Sequence, residues 1–495
     1  MKILLLNVPW VEGEGLYGVK AGARWPSRRS RKKHMEYYPY PFHLAYATAV
    51  LKKRGFEARL RDAIVEGMSR QALLDWAAAE RPDVVVIETA TPAVKRDLEF
   101  ARRLKESTTS ASTPGKGKDL KIVICGPHAT ALPEEILAEQ AVDFVLMGEF
   151  DYSLAELCEA LQGDGDPYSV RGVAFRRDGT VHRNELHELI QALDELPYPE
   201  RDDVPILDYT VPFCKEFPNV CMLTSRGCPY SCIYCVEPKL LFGKKSYRTR
   251  SAKSVVDEME HILGRYEPRE IFFDDSSSTI DERRMRAICQ EIRARSLDVK
   301  WSCMGDVRAS TETLKAMVEA GCEGIFFGVE SGSAEILKNI RKGITLDEVR
   351  RFTEVARRLG LYTHASYMFG LPGETAETIR ATIDFAFSLP TTTAQFSIAT
   401  PLPGTEFFEL ARREGWLRTE DWSQYEGAGT PVIQYPECSA DMLVAAMEEV
   451  RKRRVKRMLC QPTVLIKYAV KTVRMAGIGG LIRSAQAKLG YLVRD

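Results

Sequence analysis

The sequence predicts two α/β units in series, a doubly wound parallel sheet followed by a partial barrel of six strand-helix repeats, with a helical tail. Three observations carry this. Short apolar runs alternate with amphipathic stretches from residue 1 to about 162; the alternation resumes between about 220 and 410; and a Gly-, Asp- and Pro-rich stretch separates the two. Expected boundaries are 1–165 for the first unit, 166–205 for a hairpin and linker, 206–416 for the barrel and 417–495 for the tail.

In the first unit the strands are placed at Ile3 to Val8, Glu57 to Asp62, Asp83 to Glu88, Lys121 to Cys125 and Val142 to Met147. Helices are placed at Phe42 to Lys53, Arg70 to Ala79, Val94 to Lys105, Pro133 to Ala138 and Tyr152 to Leu161. A sheet of this kind binds ligands at the carboxyl ends of its strands. The residues falling there are Pro9-Trp10, Thr89-Ala90-Thr91, Gly126-Pro127-His128-Ala129-Thr130 and Gly148-Glu149. In a generic sheet Gly126 and Gly148 only turn the chain and His128 caps a helix or faces solvent. No Gly-x-Gly-x-x-Gly follows the first strand, which argues against a dinucleotide site. Ser107 to Lys118 reads as a surface insertion. Arg24 to Lys33 carries Arg24, Arg28, Arg29, Arg31, Lys32 and Lys33 ahead of Tyr37, Tyr38 and Tyr40, and suits a solvated loop or a ligand contact equally.

Gly163-Asp164-Gly165-Asp166-Pro167 breaks the pattern; Asp178-Gly179 between Val173 to Arg177 and Thr180 to Arg183 signals a hairpin, and Leu196-Pro197-Tyr198-Pro199 a stiff linker. The barrel strands are placed at Val220 to Ser225, Glu270 to Asp274, Lys300 to Met304, Gly324 to Val329, Leu361 to Met368 and Thr393 to Ala399. In such barrels chemistry gathers beyond the strand C-termini. That edge carries Asp274-Asp275, Asp306 and Arg308, Glu330-Ser331, the turn Gly370-Leu371-Pro372-Gly373-Glu374, and Pro401-Leu402-Pro403-Gly404-Thr405. Each alone is as well explained by a turn or a helix cap. Six in order at one edge are harder to assign to turns.

Just past the first barrel strand, Cys228, Cys232 and Cys235 stand as Cys-x3-Cys-x2-Cys, with Tyr234 beside the last. Two readings fit such thiols. A structural zinc site normally takes four protein ligands, and a fourth is hard to find nearby, since Cys221 lies in the preceding strand and the nearest His in sequence is His261. A four-iron cubane held by three thiolates keeps one iron open to an outside ligand.

Acidic and basic residues balance at 69 each, which gives no case for a nucleic-acid partner. The 12 cysteines suit a reducing, cytoplasmic compartment. The opening Met1 to Val8 reads as a strand and not a signal peptide, and no apolar run reaches membrane-spanning length. Cys214, Cys289, Cys303, Cys322, Cys438 and Cys460 are scattered and read as small buried apolar residues. The tail contains a helix near Ala440 to Met458 with the basic end Arg451-Lys452-Arg453-Arg454. A second helix opens at Pro462, with Lys467, Lys471 and Arg474 on one face. Docking on the barrel and lying on an anionic membrane surface remain open; the second would add a peripheral place at the inner face of the membrane and a lipid-like substrate.

The cysteine loop, with its aromatic before the third Cys, resembles the signature of the radical S-adenosylmethionine (SAM) enzymes. Gly126-Pro127-His128-Ala129-Thr130 and Gly148-Glu149 ahead of it look like the Rossmann-like domain of the cobalamin-dependent branch. The resemblance implies a 4Fe-4S cluster on Cys228, Cys232 and Cys235, and SAM held by Tyr234, Asp274, Asp275, Arg308, Glu330, Ser331, Gly370, Pro403 and Gly404. It implies cobalamin held by the loops of Pro9, Thr89, Thr91, Gly126, His128, Gly148 and Glu149. The Asp-x-His-x-x-Gly motif is absent, so no His of this domain is required on cobalt, and Asp274-Asp275 departs from the Gly-Gly-Glu of many members. The activity implied is cleavage of SAM to a 5'-deoxyadenosyl radical, hydrogen abstraction from an unactivated carbon, and methylation by methylcobalamin, with a flavodoxin- or ferredoxin-type electron donor and a small-molecule or lipid-like substrate. A cyclase or rearrangement enzyme of the same architecture is the alternative within enzymes; a non-catalytic zinc-stabilised binding protein is the alternative outside them. The methylthiotransferase branch needs three further cysteines before residue 200, where only Cys125 and Cys158 occur.

Overall fold

The computed structural model describes residues 1–11, 13, 17–20, 27–30, 38–110, 120–243, 245–427 and 430–460. β1 (Lys2–Asn7) leads to a small antiparallel pair, β2 (Tyr17–Val19) and β3 (Arg28–Ser30), then to β4 (Glu57–Asp62), β5 (Val84–Glu88), β6 (Lys121–Cys125) and β7 (Phe144–Leu146). With β8 (Val173–Arg177) and β9 (Thr180–Arg183) these make a seven-stranded sheet in the order β4-β1-β5-β6-β7-β8-β9. The five parallel strands follow the doubly wound order 2-1-3-4-5, whose ligand crevice opens between β1 and β5 at the strand C-termini. Both faces are covered, and strict alternation sorts the side chains. Ile3, Leu5, Val84 and Val86 join the core that continues into the barrel, while Leu4, Leu6, Val85 and Ile87 join a separate core on the opposite face.

The sheet is mixed and not purely parallel. The hairpin assigned to a 166–205 linker pairs through β8, antiparallel, with β7 and so extends this sheet. Asp178 and Gly179 both take positive φ (51° and 76°), the turn geometry that matches strand twist.

The second unit begins at β10 (Asn219–Met222), which stops three residues before the expected end. Ser225–Gly227 forms a separate strand, β11, antiparallel to β12 (Tyr247–Thr249), which the alternation gave no sign of. β13 (Glu270–Phe273), β14 (Trp301–Met304), β15 (Cys322–Glu330), β16 (Tyr362–Phe369) and β17 (Thr393–Ile398) complete a parallel sheet in simple sequential order from β10 to β17, with helices between.

Beyond it, the helix Ala440–Cys460 buries Leu443, Ala446 and Val450, and places Arg453 on Asp384 and Arg454 on the carbonyl of Ala394. This helix is docked on the barrel; the helix expected from Pro462 on, for which the sequence leaves barrel docking and membrane contact open, lies outside the described residues. Residues 111–119, most of the 107–118 insertion, lie outside the described residues, as do the side chains of the 24–33 basic run and the whole segment from 461 on. The remaining Ser107–Ser110 continues the helix Val94–Ser110. Among the described residues no helix is long and apolar enough to cross a membrane.

Candidate active site

The turn from β10 to the cysteine loop is anchored by one carboxylate. Asp275, just past β13, accepts hydrogen bonds from Thr224 N (2.6 Å), Ser225 N (3.0 Å), Ser278 Oγ (2.8 Å) and the Thr224 hydroxyl. Asp275 is therefore occupied in holding the loop to the sheet; the neighbouring Asp274 is also buried. Gly227 then takes φ +83°, and a side chain there would run into the Ser246 carbonyl of the adjoining chain.

Of the eleven cysteines whose side chains are described, eight are buried and only Cys228, Cys232 and Cys235 are partly exposed. Cys232 Sγ points at Arg341 O (3.7 Å), Ile233 N donates to Ile340 O (3.2 Å), and Phe407 N donates to Ile233 O (3.0 Å). The loop is thus gripped by the turn after Asn339 and by the start of the helix Glu406–Arg413. A small open pocket beside it is lined by Tyr230, Cys232, Cys235, Lys239 and Glu406 among others. Burial pushes the Cys228 thiol up to about 11 and that of Cys235 well above its usual range. Without metal both stay protonated, and a metal must displace the protons.

Two ion pairs flank the thiols. Arg308 is forked onto Asp306 (2.6 and 2.7 Å) with its guanidinium 4.1 Å from the centre of the Tyr230 ring. Lys342, which the sequence reading did not single out, reaches Glu330 Oε1 (2.8 Å) and Tyr234 OH (3.4 Å). Burial works against its charge, yet Glu330 and the nearby Cys232 hold its pKa above the usual lysine value. Glu330 sits at φ +73°, and a side chain on Gly328 would overlap the Glu330 carboxylate, so that glycine makes room for the pair.

Ser331 turns outward, its hydroxyl 3.0 Å from Thr382 Oγ1 and accepting from Ser333 N (3.1 Å). It braces a helix. Gly370 (φ +90°) donates its N–H to the buried Glu374 carboxylate, under Ile433 and Leu443. Gly404 (φ +83°) follows the buried Pro403 and faces Leu240 and Ala131, where a side chain would clash with Leu240. It serves the junction of the two units. The sequence reading grouped these residues by edge, but side-chain direction separates them.

The model of the radical SAM superfamily matches residues 222–386, and that of the B12 binding domain matches residues 32–158. An uncharacterised methyltransferase of Pyrococcus horikoshii is 31% identical over 429 residues, spanning 86% of this chain and 89% of its own length. The chain belongs to the cobalamin-dependent radical SAM enzymes. The anaerobic magnesium-protoporphyrin IX monomethyl ester cyclase of Cereibacter sphaeroides is 26% identical, over 85% of this chain and 68% of its own. In fold, the radical SAM methyltransferase TsrM from Kitasatospora setae, solved with cobalamin and a [4Fe-4S] cluster, superposes with a TM-score of 0.66 at 22% identity, covering 85% of this chain and 79% of its own. SAM, a 4Fe-4S cluster and cobalamin are the cofactors of this family.

The residues present fit that set. Three partly exposed thiols on one short loop would supply three cluster ligands, and Arg308 lies against the Tyr230 ring of the same loop. On the radical SAM enzyme's other sheet, the edge at β5, β6 and β7 offers backbone more than side chains. Pro9 and Thr89 are buried behind the edge, and Gly126 (φ +104°) lets its loop press on the Thr89 carbonyl. Gly148 N donates to Thr130 Oγ1 (3.2 Å). His128 is 1% exposed, 3.2 Å from Thr91 Oγ1 through Nδ1 and edge-on to Trp422 at 5.3 Å; the C-terminal extension thus covers both. Glu149 is held by Arg226 and Arg248. His43, unremarked in the sequence, meets Glu88 at 3.1 Å through Nδ1 at the same edge. Burial alone would lower its pKa, but the Glu88 carboxylate raises it on balance.

Proposed function

We propose that this chain is a methyltransferase that places a methyl group on an unactivated carbon of a small molecule. The observation that supports it best is that the cysteine loop is tied through Arg226 to Glu149 and Asp151, at the ligand edge of the cobalamin-binding sheet, so both cofactor sites open on one junction. When bound, the cluster supplies the electron that cleaves SAM and cobalamin supplies a transferable methyl group. The chain's part is to hold and to exclude. Cys228, Cys232 and Cys235 bind the cluster, and Asp274 receives the SAM ammonium. Arg308, held in position by Asp306 and the Tyr230 ring, faces its carboxylate in this reading. The loops of Thr89, Gly126 and Gly148 hold the corrin through backbone and shape. Phe150 and Phe242, both buried and packed edge-on to His43, and the segment around Trp422 keep water from the junction. A flavodoxin- or ferredoxin-type protein is the electron donor in this reading.

The likeness to an anaerobic cyclase gives a second reading, ring closure without methyl transfer. Anaerobically reconstituted protein incubated with a cell metabolite extract and SAM deuterated in its methyl group separates them. Methylation puts the label into a new product; a product formed without label supports cyclisation and refutes the first reading.

A further inference from the structure

We propose that the buried Arg226-Asp151-Glu149-Arg248 network is the strut that sets the spacing and orientation of the cluster loop against the corrin-binding edge, making Glu149 and Asp151 positioning residues; this rests on both cofactors serving one substrate. Arg226 lies two residues before Cys228, and Glu149 and Asp151 follow Gly148. Each end of the network is thus within two residues of a candidate cofactor loop. Arg226 forks onto Asp151 (2.7 and 3.1 Å) and reaches Glu149 Oε1 (2.7 Å). The other oxygen of Glu149 accepts from Arg248 Nη1 (2.7 Å) and Ile190 N (2.9 Å). Tyr46 closes one face, its ring centre 4.7 Å from the Arg226 guanidinium.

Two features mark this as more than cohesion. The four side chains are between 2% and 7% exposed, and two cations balance two anions, so the group tolerates burial as a unit. Buried apolar contacts would join the same surfaces with as much or more stability. What a planar guanidinium forked onto a carboxylate adds is direction, since its donors fit the acceptor in few orientations. In the chemistry of this family that direction matters, because a misplacement of about 1 Å can cost about a hundredfold in rate.

The test uses the holoprotein loaded with cluster and cobalamin, reading the cobalt-to-cluster distance distribution by pulsed dipolar EPR with the cobalt and the cluster both paramagnetic. The wild type should give one narrow distribution. Asp151→Asn and Glu149→Gln should load iron and cobalt normally yet shift or broaden it by on the order of 1 Å. Arg293→Gln, which breaks an exposed pair with Glu319, should leave it narrow. Arg226→Lys keeps the charge and loses the fork; it should broaden the distribution as well. Distributions matching wild type in these variants overturn the proposal. So does loss of cofactor loading in all of them at unchanged thermal stability, for the network would then build the sites and not space them. No turnover is involved, so a failure of the methyltransferase reading leaves the result standing.

Discussion

Replacing Asp275 by alanine removes four hydrogen bonds from one buried carboxylate, two of them from backbone N–H groups at Thr224 and Ser225. The hydroxyls of Thr224 and Ser278 can turn to other acceptors. The two N–H groups cannot, and each buried donor left without a partner costs about 1–3 kcal/mol. Some of that returns when water enters the opened turn, so a net local cost of about 3 kcal/mol is expected, which is about a hundredfold in the opening equilibrium of this segment. Amide hydrogen exchange on the anaerobic apo-protein reads it directly. The peptide holding Thr224 to Gly227 should exchange about a hundredfold faster, while β15 stays protected. Iron per chain after reconstitution should fall in step. An unchanged exchange rate with weakened SAM binding would refute the reasoning, for it would put the Asp275 carboxylate on SAM, as the sequence pairing of Asp274 and Asp275 led one to expect.

Gly227→Ala meets both a positive φ and the Ser246 carbonyl, so the iron-sulfide absorption band should be lost on reconstitution. Gly179→Ala, at φ +76° with nothing within 4 Å of the new methyl group, should cost only about 1 kcal/mol and load normally. Burial raises the Glu374 carboxyl from 4.5 to about 8, so between those values the folded chain keeps a proton that the unfolded chain has lost, and stability falls as pH rises through that window. Glu374→Gln should flatten this slope and gain at most about 5 kcal/mol over wild type near pH 8 in urea titrations; parallel pH curves would refute it. Trp422→Ala removes the ring over His128 and the bond to Glu135, and should speed amide exchange at Thr91 to Ala93 and at His128 while leaving the Gly370–Glu374 turn protected.

Most of the strand and helix order was legible because parallel sheets buried on both faces write themselves as apolar runs, as in Val84–Glu88, and because a helix such as Arg70–Ala79 carries its apolar face at Leu73, Leu74 and Ala77. The three cysteines stood out by their spacing, which leaves zinc and a cluster both open until the family resemblance is added. What stayed hidden is partnership over distance. Arg226 and Asp151 are 75 residues apart, and nothing in either neighbourhood marks them as a pair. Lys342 follows a short helix as one basic residue among several. Its role appears only when the turn after Asn339 is folded against Cys232. Ser331 and Glu330 are adjacent in sequence, yet the left-handed backbone at Glu330 sends one inward to Lys342 and the other outward to Thr382.

The same logic reassigns the C-terminal extension. Read from sequence, it is a tail that leaves the barrel pattern. In the fold, Tyr435 donates to the Leu371 carbonyl and accepts from Glu374 N, while Ile433 and Leu443 cover Gly370, so one part of the extension clamps the turn after β16. A few residues earlier, Asp421 meets Lys95 at 2.9 Å and Trp422 seals Thr91 and His128. A single stretch of chain therefore touches the ligand edges of both sheets. A site formed between two separately folded edges stays dry only if something spans them, and charged side chains there must be neutralised within the protein, as Arg226, Glu149, Asp151 and Arg248 are. The charged side chains at that edge are accordingly spent on one another, and in the proposed reading backbone at Gly126 and Gly148 would meet the corrin there.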